Sequence, residues 1–372
     1  MASTQDALYA ELDLDLSWSE AELPERERTK HVHRLHPYLG KFVPQLVEEL
    51  FRRHVPAPGR VLDPFAGSGT TLVQALESGH EATGVDIAAF NCLLIGVKTG
   101  QYNLFVLERE LRDALTRFEA LEISPDAETP GYVGRWFAPQ SAAELLAFRA
   151  LAADYEHADV LRVVLARAAR SARLTTHFDL DFPQEPQREP YWCFKHKREC
   201  RPIDHADHFV RRYTLDTLAR LKAFAKVRGR RQVEILHGDA QEVELVGRFD
   251  AVVTSPPYPG LIDYHEQHRY AYELLGLDDQ RERELGAAAR GTSRAAILAY
   301  VEGIAAVLGR SAESLKRGAP LLIVVNDRRE LYPEILERAG LRLDATYRRH
   351  VNRRTGRRAG EYFEDVLVAR RA

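Results

Sequence analysis

The segment 61–71 constrains the fold most, because it predicts a strand, a glycine turn and a helix in direct succession. Gly67 and Gly69 let the backbone of the turn pass close to a ligand, and the start of the following helix offers unpaired N–H groups. A second short strand, 81–86, follows and ends in an acid, Asp86. Strand, helix and strand in this order predict an α/β fold with a parallel, Rossmann-like sheet.

Asp86 stands where an acid in a Rossmann-like unit commonly holds the ribose hydroxyls of a nucleotide cofactor. A Gly-x-Gly turn by itself occurs in many different nucleotide-binding proteins. The segment therefore predicts a cofactor that contains a nucleoside, without deciding which one it is.

Residues 252–258, Val-Val-Thr-Ser-Pro-Pro-Tyr, predict the end of another strand and an extended turn. Each proline fixes its own φ and disfavours helix in the residue before it. The turn offers the Ser255 hydroxyl, the carbonyls of Ser255 and Pro256, and the ring of Tyr258. These groups suit a flat heteroaromatic ring with an exocyclic amine, because Tyr258 can stack on the ring while the oxygens accept from the NH2 group. An isolated Pro-Pro-Tyr is more often an ordinary turn. Here the glycine segment 61–71 occurs in the same chain, and it favours a functional role for the turn.

Three segments together resemble the amino-methyltransferases of DNA, which methylate cytosine N4 or adenine N6 with S-adenosylmethionine. Residues 63–69 resemble the cofactor loop of that family, and 255–258 resemble its catalytic loop. Residues 36–44, His-Pro-Tyr-Leu-Gly-Lys-Phe-Val-Pro, resemble the segment that helps close the methionine end of the cofactor pocket. The resemblance covers about the first hundred residues and 232–372. It implies a class I methyltransferase fold, a mostly parallel sheet covered by helices.

The resemblance also implies roles for individual residues. Gly67 and Gly69 are expected against the methionine part of the cofactor, Asp86 at the ribose, and Asp239, which follows the third strand, at the adenine amine. The implied cofactor-binding residues are His36, Tyr38, Lys41, Phe42, Asp63, Pro64, Phe65, Gly67, Gly69, Thr70, Thr71, Asp86 and Asp239. The implied catalytic residues are Ser255, Pro256, Pro257 and Tyr258.

Methylation of an exocyclic amine is favoured over methylation of a ring carbon. Cytosine C5 methylation needs a cysteine nucleophile, and none of Cys92, Cys193 and Cys200 stands in a Pro-Cys turn after a strand. An amine needs no covalent step, because acceptors that bind its hydrogens favour its rehybridisation through position and electrostatics. The base must leave the duplex, and stacking on Tyr258 offsets part of the unstacking cost.

Ser255 favours cytosine N4 as the methylated atom. Family members that act on adenine usually carry Asp or Asn at this position, and those that act on cytosine usually carry Ser. Adenine N6 is the first alternative and guanine N2 of RNA is the second, although thirty N-terminal residues are short for a separate RNA-binding domain. A catalytically silent DNA-binding subunit is the alternative from a different class, and the intact catalytic loop argues against it.

Length and patterning predict a chain with three parts. The 372 residues suffice for one large or two smaller domains, and 45% of them are hydrophobic. Residues 1–30 form an acidic arm, where alternating leucine and aspartate over 12–16 predict a short strand or an extended arm. Residues 31–100 and 231–372 form the catalytic domain. Residues 101–230 form a helical insertion, for which target recognition is the leading role and a packing subdomain or dimer surface the alternative.

Basic charge is concentrated in two places, although the net charge is only −3. Residues 188–231 carry a net charge of +8 and residues 342–372 a net charge of +5, which leaves −16 for the remainder. Such patches are expected where part of a surface meets phosphates, and solvated loops are the alternative. The residues expected to contact DNA are Lys195, Lys197, Arg198, Arg201, Arg353, Arg354, Arg357 and Arg358.

A group of cysteines and histidines lies within the first basic patch, at Cys193, His196, Cys200, His205 and His208. Residues of these two types bind zinc in proteins. Their spacings do not match a common structural zinc site, so no metal ligand is assigned. A basic surface loop is favoured, and zinc stays the alternative. The aromatic residues beside them fit either base stacking or a small local core.

Three cysteines give no disulfide framework and indicate a reducing cytoplasm. No apolar run reaches membrane-spanning length, and the N-terminus is acidic rather than basic and then apolar. The resemblance implies double-stranded DNA as the substrate and a cytoplasmic location with the nucleoid. It leaves open a cognate restriction endonuclease as a partner, and the oligomeric state.

Overall fold

The structure, a computed structural model, describes residues 13–19, 21–125, 129, 131–177, 183–351 and 362–372. Four arginines that the sequence predicts to contact DNA lie outside the described residues: Arg353, Arg354, Arg357 and Arg358. The chain divides into two compact units. The sheet unit comprises Met1–Thr99, Val227–Asp263 and Glu282–Ala372, and the helical unit comprises Gly100–Lys226 and Tyr264–Arg281.

Nine strands and thirteen α-helices occur in the described ranges. The strands are β1 (Arg60–Asp63), β2 (Glu81–Asp86), β3 (Tyr191–Cys193), β4 (Arg198–Cys200), β5 (Val233–His237), β6 (Ala251–Thr254), β7 (Leu321–Val325), β8 (Leu341–His350) and β9 (Phe363–Arg371). The helices are α1 (Glu25–Arg28), α2 (Pro44–His54), α3 (Thr70–Glu77), α4 (Ala89–Thr99), α5 (Leu104–Glu119), α6 (Gly131–Trp136), α7 (Pro139–Ala152), α8 (Ala158–Ala172), α9 (Asp207–Ala225), α10 (Tyr264–Gln267), α11 (Arg269–Leu275), α12 (Arg294–Glu313) and α13 (Tyr332–Arg338). Short 3-10 helices cover Leu14–Leu16, His31–Arg34, Arg281–Arg283 and Ala288–Arg290.

Seven strands form one sheet in the order β5-β2-β1-β6-β7-β9-β8. β9 runs antiparallel to both β7 and β8, and the other neighbours are parallel. The strand order reverses at β1, with β2 and β5 on one side and β6 and β7 on the other. This sheet confirms the predicted Rossmann-like α/β fold. Ligands of such sheets bind at the carboxyl ends of the strands beside the reversal point.

The central strands are apolar on both faces, because helices cover the sheet on both sides. In β7 every residue is buried. Leu321 and Ile323 belong to one core cluster, and Leu322 and Val324 belong to the other, as the two-residue period of a strand requires. α12 contributes to the first cluster and α2 to the second. Burial on two faces thus explains the apolar runs that predict these strands.

α12 is the one helix in the described part of the chain that is long and apolar enough to cross a membrane. Half of its apolar window is buried within the structure. Ile304 and Leu308, on this helix, are fully buried in the core of the sheet unit. Packing in the core therefore accounts for its apolar surface.

The N-terminal segment forms a 3-10 helix, Leu14–Leu16, and not the strand or extended arm that the alternating leucines predict. The Asp13 carboxylate accepts from the Asp15 N–H at 3.1 Å, and the Ser17 hydroxyl donates to the Asp13 carbonyl at 2.9 Å. The turn buries Leu16 completely in the core. Local bonds from Asp and Ser side chains to the backbone compete with extended pairing, which explains why that prediction was wrong.

The helical unit is built around α8, most of whose residues are buried. α8 packs against α7, α9 and α11. Arg167 on α8 is buried, donates to the Thr217 hydroxyl at 2.6 Å and pairs with Asp216. A hydrogen-bonded ion pair therefore joins α8 and α9, and it satisfies a cation that would otherwise be costly to bury.

Tyr264–Arg281 belongs to the helical unit, whereas the sequence analysis assigned it to the catalytic domain. The Arg173 guanidinium lies over the Tyr270 ring, 4.5 Å from its centroid. Arg149 donates to the Leu274 carbonyl at 3.1 Å, although the two are 125 residues apart. These contacts join α11 to the helices around α8, and local sequence patterns carry no signal for them.

Two elements of the helical unit were not predicted, α6 and the hairpin of β3 and β4. The hairpin pairs Tyr191 with Cys200 and Cys193 with Arg198. Each strand has three residues, which is too few for a periodic pattern. The turn between the strands contains Lys197 at φ 52°, a left-handed backbone that is uncommon for residues other than glycine.

Candidate active site

The two predicted loops begin side by side, at the carboxyl ends of β1 and β6. β1 ends at Asp63 and β6 ends at Thr254. The Thr254 hydroxyl donates to Asp63 Oδ1 at 2.6 Å, and both residues are buried. This bond brings the start of the cofactor loop and the start of the catalytic loop together, at the point where the strand order reverses.

Asp63 is a buried carboxylate held by neutral donors. Its Oδ1 also accepts from the Phe65 N–H at 3.1 Å. Burial raises the pKa of Asp63 to about 6, against the opposing effect of its hydrogen bonds. Pro64 is buried, and Phe65 is half-buried against the core. The first residues of the cofactor loop are therefore anchored in the sheet unit.

Gly67 and Gly69 adopt left-handed backbone, with φ of 50° and 78°. A Cβ on Gly69 would lie 2.8 Å from Ile95, and a Cβ on Gly67 would lie 3.0 Å from the Tyr38 hydroxyl. Backbone conformation and space therefore both favour glycine in this turn. The second distance also places Tyr38, one of the predicted cofactor-binding residues, directly against the loop.

Asp86 ends β2 and holds the glycine loop. Its Oδ2 accepts from the Gly67 N–H at 2.6 Å, and its Oδ1 accepts from the Ala88 N–H at 2.8 Å and from Asn91 Nδ2 at 3.1 Å. An ionised carboxylate has about four acceptor sites, so about one remains for a ligand. Burial raises the pKa of Asp86 to about 7. Asn91 was not predicted, and it also donates to the Tyr38 hydroxyl at 3.3 Å.

Asp239 follows β5, which neighbours β2 in the sheet. Its carboxylate accepts from the Gln241 N–H at 2.8 Å and pairs with Arg283 at 3.1 Å. The Gly238 N–H donates to the Asp86 carbonyl at 3.0 Å, so the two acids stand on adjoining loops. The contact of Asp239 with an adenine amine stays a prediction, and any ligand there would share this carboxylate with Arg283.

The segment 36–44 is anchored in the sheet unit. His36 is 1% exposed, and its Nδ1 lies 2.7 Å from the carbonyl of the next residue. Lys41 donates to the His33 carbonyl at 2.7 Å. Phe42 is buried in the core, so its apolar character has a structural cause. The cofactor contacts of these residues stay predictions.

Two threonines and a lysine support the glycine loop from within the sheet unit. Thr70 and Thr71, at the start of α3, are buried, and the Thr71 hydroxyl donates to the Val253 carbonyl at 3.3 Å. Lys98, on α4, is 1% exposed and donates to the Ser68 carbonyl at 2.5 Å. Burial lowers the pKa of Lys98 well below its usual value. Lys98 was not predicted, and the sequence signal for it is a lone charge in an apolar helix.

The catalytic loop leaves the sheet directly after β6. Pro256 is buried, and Ser255, Pro257 and Tyr258 are half-buried. The Tyr300 hydroxyl donates to the Pro257 carbonyl at 2.9 Å, and burial raises the pKa of Tyr300 to about 12. Within the described ranges, no residue hydrogen-bonds to the Ser255 hydroxyl. The Pro257 carbonyl is therefore engaged by α12, whereas the Ser255 hydroxyl is available to a ligand.

The hairpin of β3 and β4, residues 191–201, carries basic and aromatic side chains at its surface; we call it the basic hairpin. Its basic residues are all exposed: Lys195, Lys197, Arg198 and Arg201. Trp192 is 58% exposed and Phe194 is 81% exposed. Exposed cations beside exposed rings suit contacts with phosphates and with unstacked bases.

The cysteines of this hairpin lie in a cluster that consists of His177, Cys193, His196 and Cys200. His177 was not predicted, because it lies 16 residues before Cys193. The other two histidines of the predicted group lie elsewhere. His205 Nδ1 is 2.9 Å from Glu144 Oε1, and His208 is 3.5 Å from the carboxylate of the preceding Asp207.

Known proteins resemble this chain over different parts of its length, one of them over 98% of it. A family model described as DNA methylase of the N6 and N4 type matches residues 9–95. Type II methyltransferase M.MjaII of Methanocaldococcus jannaschii is 34% identical over 98% of this chain and 84% of that protein. Type II methyltransferase M.BsoBI of Geobacillus stearothermophilus is 23% identical over 69% of this chain and 55% of that protein. Type II methyltransferase M.MvaI of Kocuria varians is 36% identical over 22% of this chain and 18% of that protein.

Proposed function

Because the chain belongs to the DNA amino-methyltransferase family, whose methyl donor is S-adenosylmethionine, we propose that it methylates the N4 amine of cytosine at specific sites in double-stranded DNA. The broader activity, methylation of an exocyclic amine in DNA, follows from membership of the family. The choice of cytosine over adenine, and the roles of single residues, are the proposal.

One observation carries the placing of the active site in this proposal, the hydrogen bond between Thr254 and Asp63. Methyl transfer requires the donor carbon and the amine nitrogen to stand about 3–3.5 Å apart and in line. Ser255 follows Thr254 directly, and the glycine loop follows Asp63. The bond therefore supports a site in which the groups that hold the methyl donor and the groups that hold the amine start from one fixed point.

The residues at the ends of β1 and β2 fit S-adenosylmethionine. Asp86 keeps about one acceptor site, which suits a ribose hydroxyl. Gly67 and Gly69 leave only backbone at the tip of the loop, and Tyr38 lies beside it. When bound, the cofactor supplies a methyl group on a positively charged sulfur. The chain's own task at this end of the site is to orient that group and hold it still.

The catalytic loop binds the amine of a base that has left the duplex. The Ser255 hydroxyl and the Pro256 carbonyl accept the amine hydrogens, and Tyr258 stacks on the ring. As the new N–C bond forms, positive charge develops on the nitrogen, and these oxygens stabilise it by position and electrostatics. The surplus amine proton then leaves to solvent. The bond from Tyr300 to the Pro257 carbonyl supports the loop in one conformation.

Ser255 is the reason for proposing cytosine, because its counterpart in enzymes that act on adenine is usually Asp or Asn. The hydroxyl is free of described partners and can accept from the amine, or rotate to donate to a ring acceptor. Adenine N6 is the second candidate, since the family acts on both amines.

The product of the reaction tests the proposal. We expect purified protein, incubated with S-adenosylmethionine and mixed-sequence duplex DNA, to yield N4-methylcytosine after digestion to nucleosides. Liquid chromatography with mass spectrometry separates this product from 5-methylcytosine and N6-methyladenine. A reaction without the cofactor and one with matched RNA are the controls. N6-methyladenine as the sole product would contradict the cytosine assignment, and methylated RNA with unmodified DNA would contradict the substrate.

We propose that the helical unit recognises the target sequence and that the basic hairpin contacts DNA. The exposed cations of the hairpin support phosphate contact. None of Lys195, Lys197, Arg198 and Arg201 has an ion-pair partner among the residues that the structure describes. Their charge is therefore available to an anionic partner.

Salt dependence measures this contact. Lys195→Gln combined with Lys197→Gln is expected to weaken DNA binding and to make the slope of log affinity against log salt shallower by about 1.8, since each phosphate contact contributes roughly 0.9. The matched control is Arg109→Gln combined with Lys226→Gln, which removes two exposed charges from α5 and from the end of α9. An unchanged slope in the hairpin variant would mean that the hairpin faces away from DNA, and cofactor affinity should be equal in all three proteins.

This function implies a cytoplasmic protein that associates with the nucleoid through its binding to DNA. A restriction endonuclease with the same target is the partner that we propose, since a methylated site protects the host DNA from such an enzyme. DNA from cells that express the chain would then resist one endonuclease specificity and remain sensitive to others.

A further inference from the structure

Four metal-binding side chains lie together in the helical unit. Three of them belong to the basic hairpin, and the fourth, His177, follows α8. One ligand atom from each of His177, Cys193, His196 and Cys200 lies within 4.8 Å of all the others. We propose that these four residues bind a structural zinc ion in the helical unit. The proposal concerns metal binding alone, and it does not depend on the base that the enzyme methylates.

The distances between the ligand atoms match a zinc-centred tetrahedron. Zn–S bonds of about 2.3 Å and Zn–N bonds of about 2.0–2.1 Å at tetrahedral angles separate a sulfur and a nitrogen by about 3.6 Å. Cys193 Sγ lies 3.7 Å from His177 Nδ1 and 3.7 Å from His196 Nδ1, and Cys200 Sγ lies 3.5 Å from His196 Nδ1. The four side chains therefore converge on a point at the spacing that zinc requires.

The surroundings of the cluster suit a metal site. Cys193 is 3% exposed and Cys200 is 8% exposed, so both sulfurs are shielded from solvent. The Tyr191 hydroxyl accepts from the His177 backbone N–H at 3.0 Å and lies 2.7 Å from His177 Nδ1. The bond from the His177 backbone to Tyr191 holds this histidine against the hairpin, with its Nδ1 at the ligand spacing from Cys193.

The ligand set indicates zinc with a structural role. Two cysteines and two histidines in a closed, four-coordinate arrangement are typical of structural zinc sites, whereas catalytic zinc sites keep one position for water or substrate. The sequence spacings of Cys193, His196, Cys200, His205 and His208 disfavour zinc, because these five residues are not the actual ligand set. The fourth ligand, His177, lies outside the segment 193–208, and His205 is held by Glu144 instead.

The hairpin needs such an anchor. Its strands have three residues each, and a two-stranded hairpin by itself is at best marginally stable in water. Trp192 and Phe194 are exposed and contribute little packing, and Lys197 holds a left-handed backbone. A zinc ion would tie both strands to His177, five residues beyond the end of α8. It would thereby fix the basic surface of the hairpin in place.

Metal analysis of the full chain tests the proposal. Protein purified without chelator is expected to contain one zinc per chain by plasma mass spectrometry, and Cys193→Ser and His177→Ala are each expected to lose it. Cys92→Ser and His208→Ala are the matched controls, since Cys92 lies in the sheet unit and His208 is outside the cluster. Zinc in both ligand variants at the level of the parent chain, or no zinc in the parent chain after dialysis against zinc, would overturn the proposal.

Cobalt substitution keeps the test decisive where a ligand variant fails to fold. The parent chain loaded with Co²⁺ is expected to give the intense visible bands of a tetrahedral site and a thiolate-to-metal band in the near ultraviolet. Zinc should abolish both signals by displacement. A six-coordinate spectrum without the thiolate band, or a mass two hydrogens lower that reports a Cys193–Cys200 disulfide in the native protein, would contradict the site. None of these signals depends on methyl transfer.

Discussion

A Ser255→Ala variant is expected to lose most methyl transfer, with the single-turnover rate lowered roughly 10²- to 10³-fold, as when one preorganised polar group is removed from an active site. The loss follows from the geometry of the loop. The Pro257 carbonyl is engaged by Tyr300, and the prolines donate no hydrogen bond. The Ser255 hydroxyl is therefore the side-chain group of this loop that we propose as the contact to the amine. Single-turnover kinetics separate this chemical step from slow product release.

The control for this variant is Ser78→Ala, which removes another half-buried hydroxyl from the sheet unit at the end of α3. We expect full activity from the control. Calorimetry should give the same affinity for S-adenosylmethionine in both variants and in the parent chain. A Ser255→Ala enzyme that turns over at the parental rate would remove the hydroxyl from the mechanism, and a loss of cofactor affinity would relocate Ser255 to the cofactor pocket.

Asp86→Ala is expected to weaken S-adenosylmethionine binding by roughly 1–3 kcal/mol, about 5- to 150-fold in Kd, if a charge-assisted hydrogen bond to the ribose is lost. The variant also frees the Gly67 and Ala88 N–H groups that Asp86 now holds, so the shape of the glycine loop contributes to the loss. Titration calorimetry measures the affinity. Glu81→Ala, at the exposed start of the same strand, is the control, and unchanged affinity in a folded Asp86→Ala protein would exclude this residue from the site.

The free energy of unfolding should depend on pH through two acids, Asp86 and Asp63. Burial raises the pKa of Asp86 to about 7 and that of Asp63 to about 6, above the value of roughly 4 in an unfolded chain. Between about pH 4 and pH 7 the folded state therefore holds protons that the unfolded state has released. The contribution of these groups to the free energy of unfolding falls as pH rises through this window, and it is largest at the acid end.

Cofactor affinity should change in the opposite direction. In the site that we propose, a ribose hydroxyl donates to ionised Asp86, so binding should release its proton and affinity should rise with pH up to about 7. Denaturant unfolding and calorimetry at the two ends of the window measure the two trends separately. An affinity that rises equally with pH in the Asp86→Ala variant would assign the titration to another group.

Much of the fold was predictable because the central strands are buried on both faces. Apolar patterns predict strands at 60–63, 81–86 and 321–325, and these bounds are the same as those of β1, β2 and β7. Burial on two faces favours apolar residues along a strand, and a polar residue, Asp63, Asp86 or Asn326, ends each of the three. The helical pattern over 158–172 likewise predicts a helix, and α8 has these bounds because most of it is buried.

Short elements and long-range contacts were not predictable. The strands of the hairpin have no measurable period, and the residues that hold the hairpin are distant in sequence. Among the site residues, the motifs identified Asp63 and Ser255 but not Thr254, because its partner lies 191 residues away. Lys98 and Tyr300 were not predicted either. Each donates a hydrogen bond to a backbone carbonyl of a distant loop, and every residue has such a carbonyl, so the sequence does not mark the contact.

The division of the helical unit into two chain segments limits how it can be exchanged between relatives. The chain passes between the two units after Thr99, Lys226, Asp263 and Arg281. A recombination event that replaced Gly100–Lys226 alone would set α8 of one parent against α11 of the other, across the contact of Arg173 with Tyr270. A grafted unit needs both segments from one source, and substitutions on the two segments should therefore be inherited together.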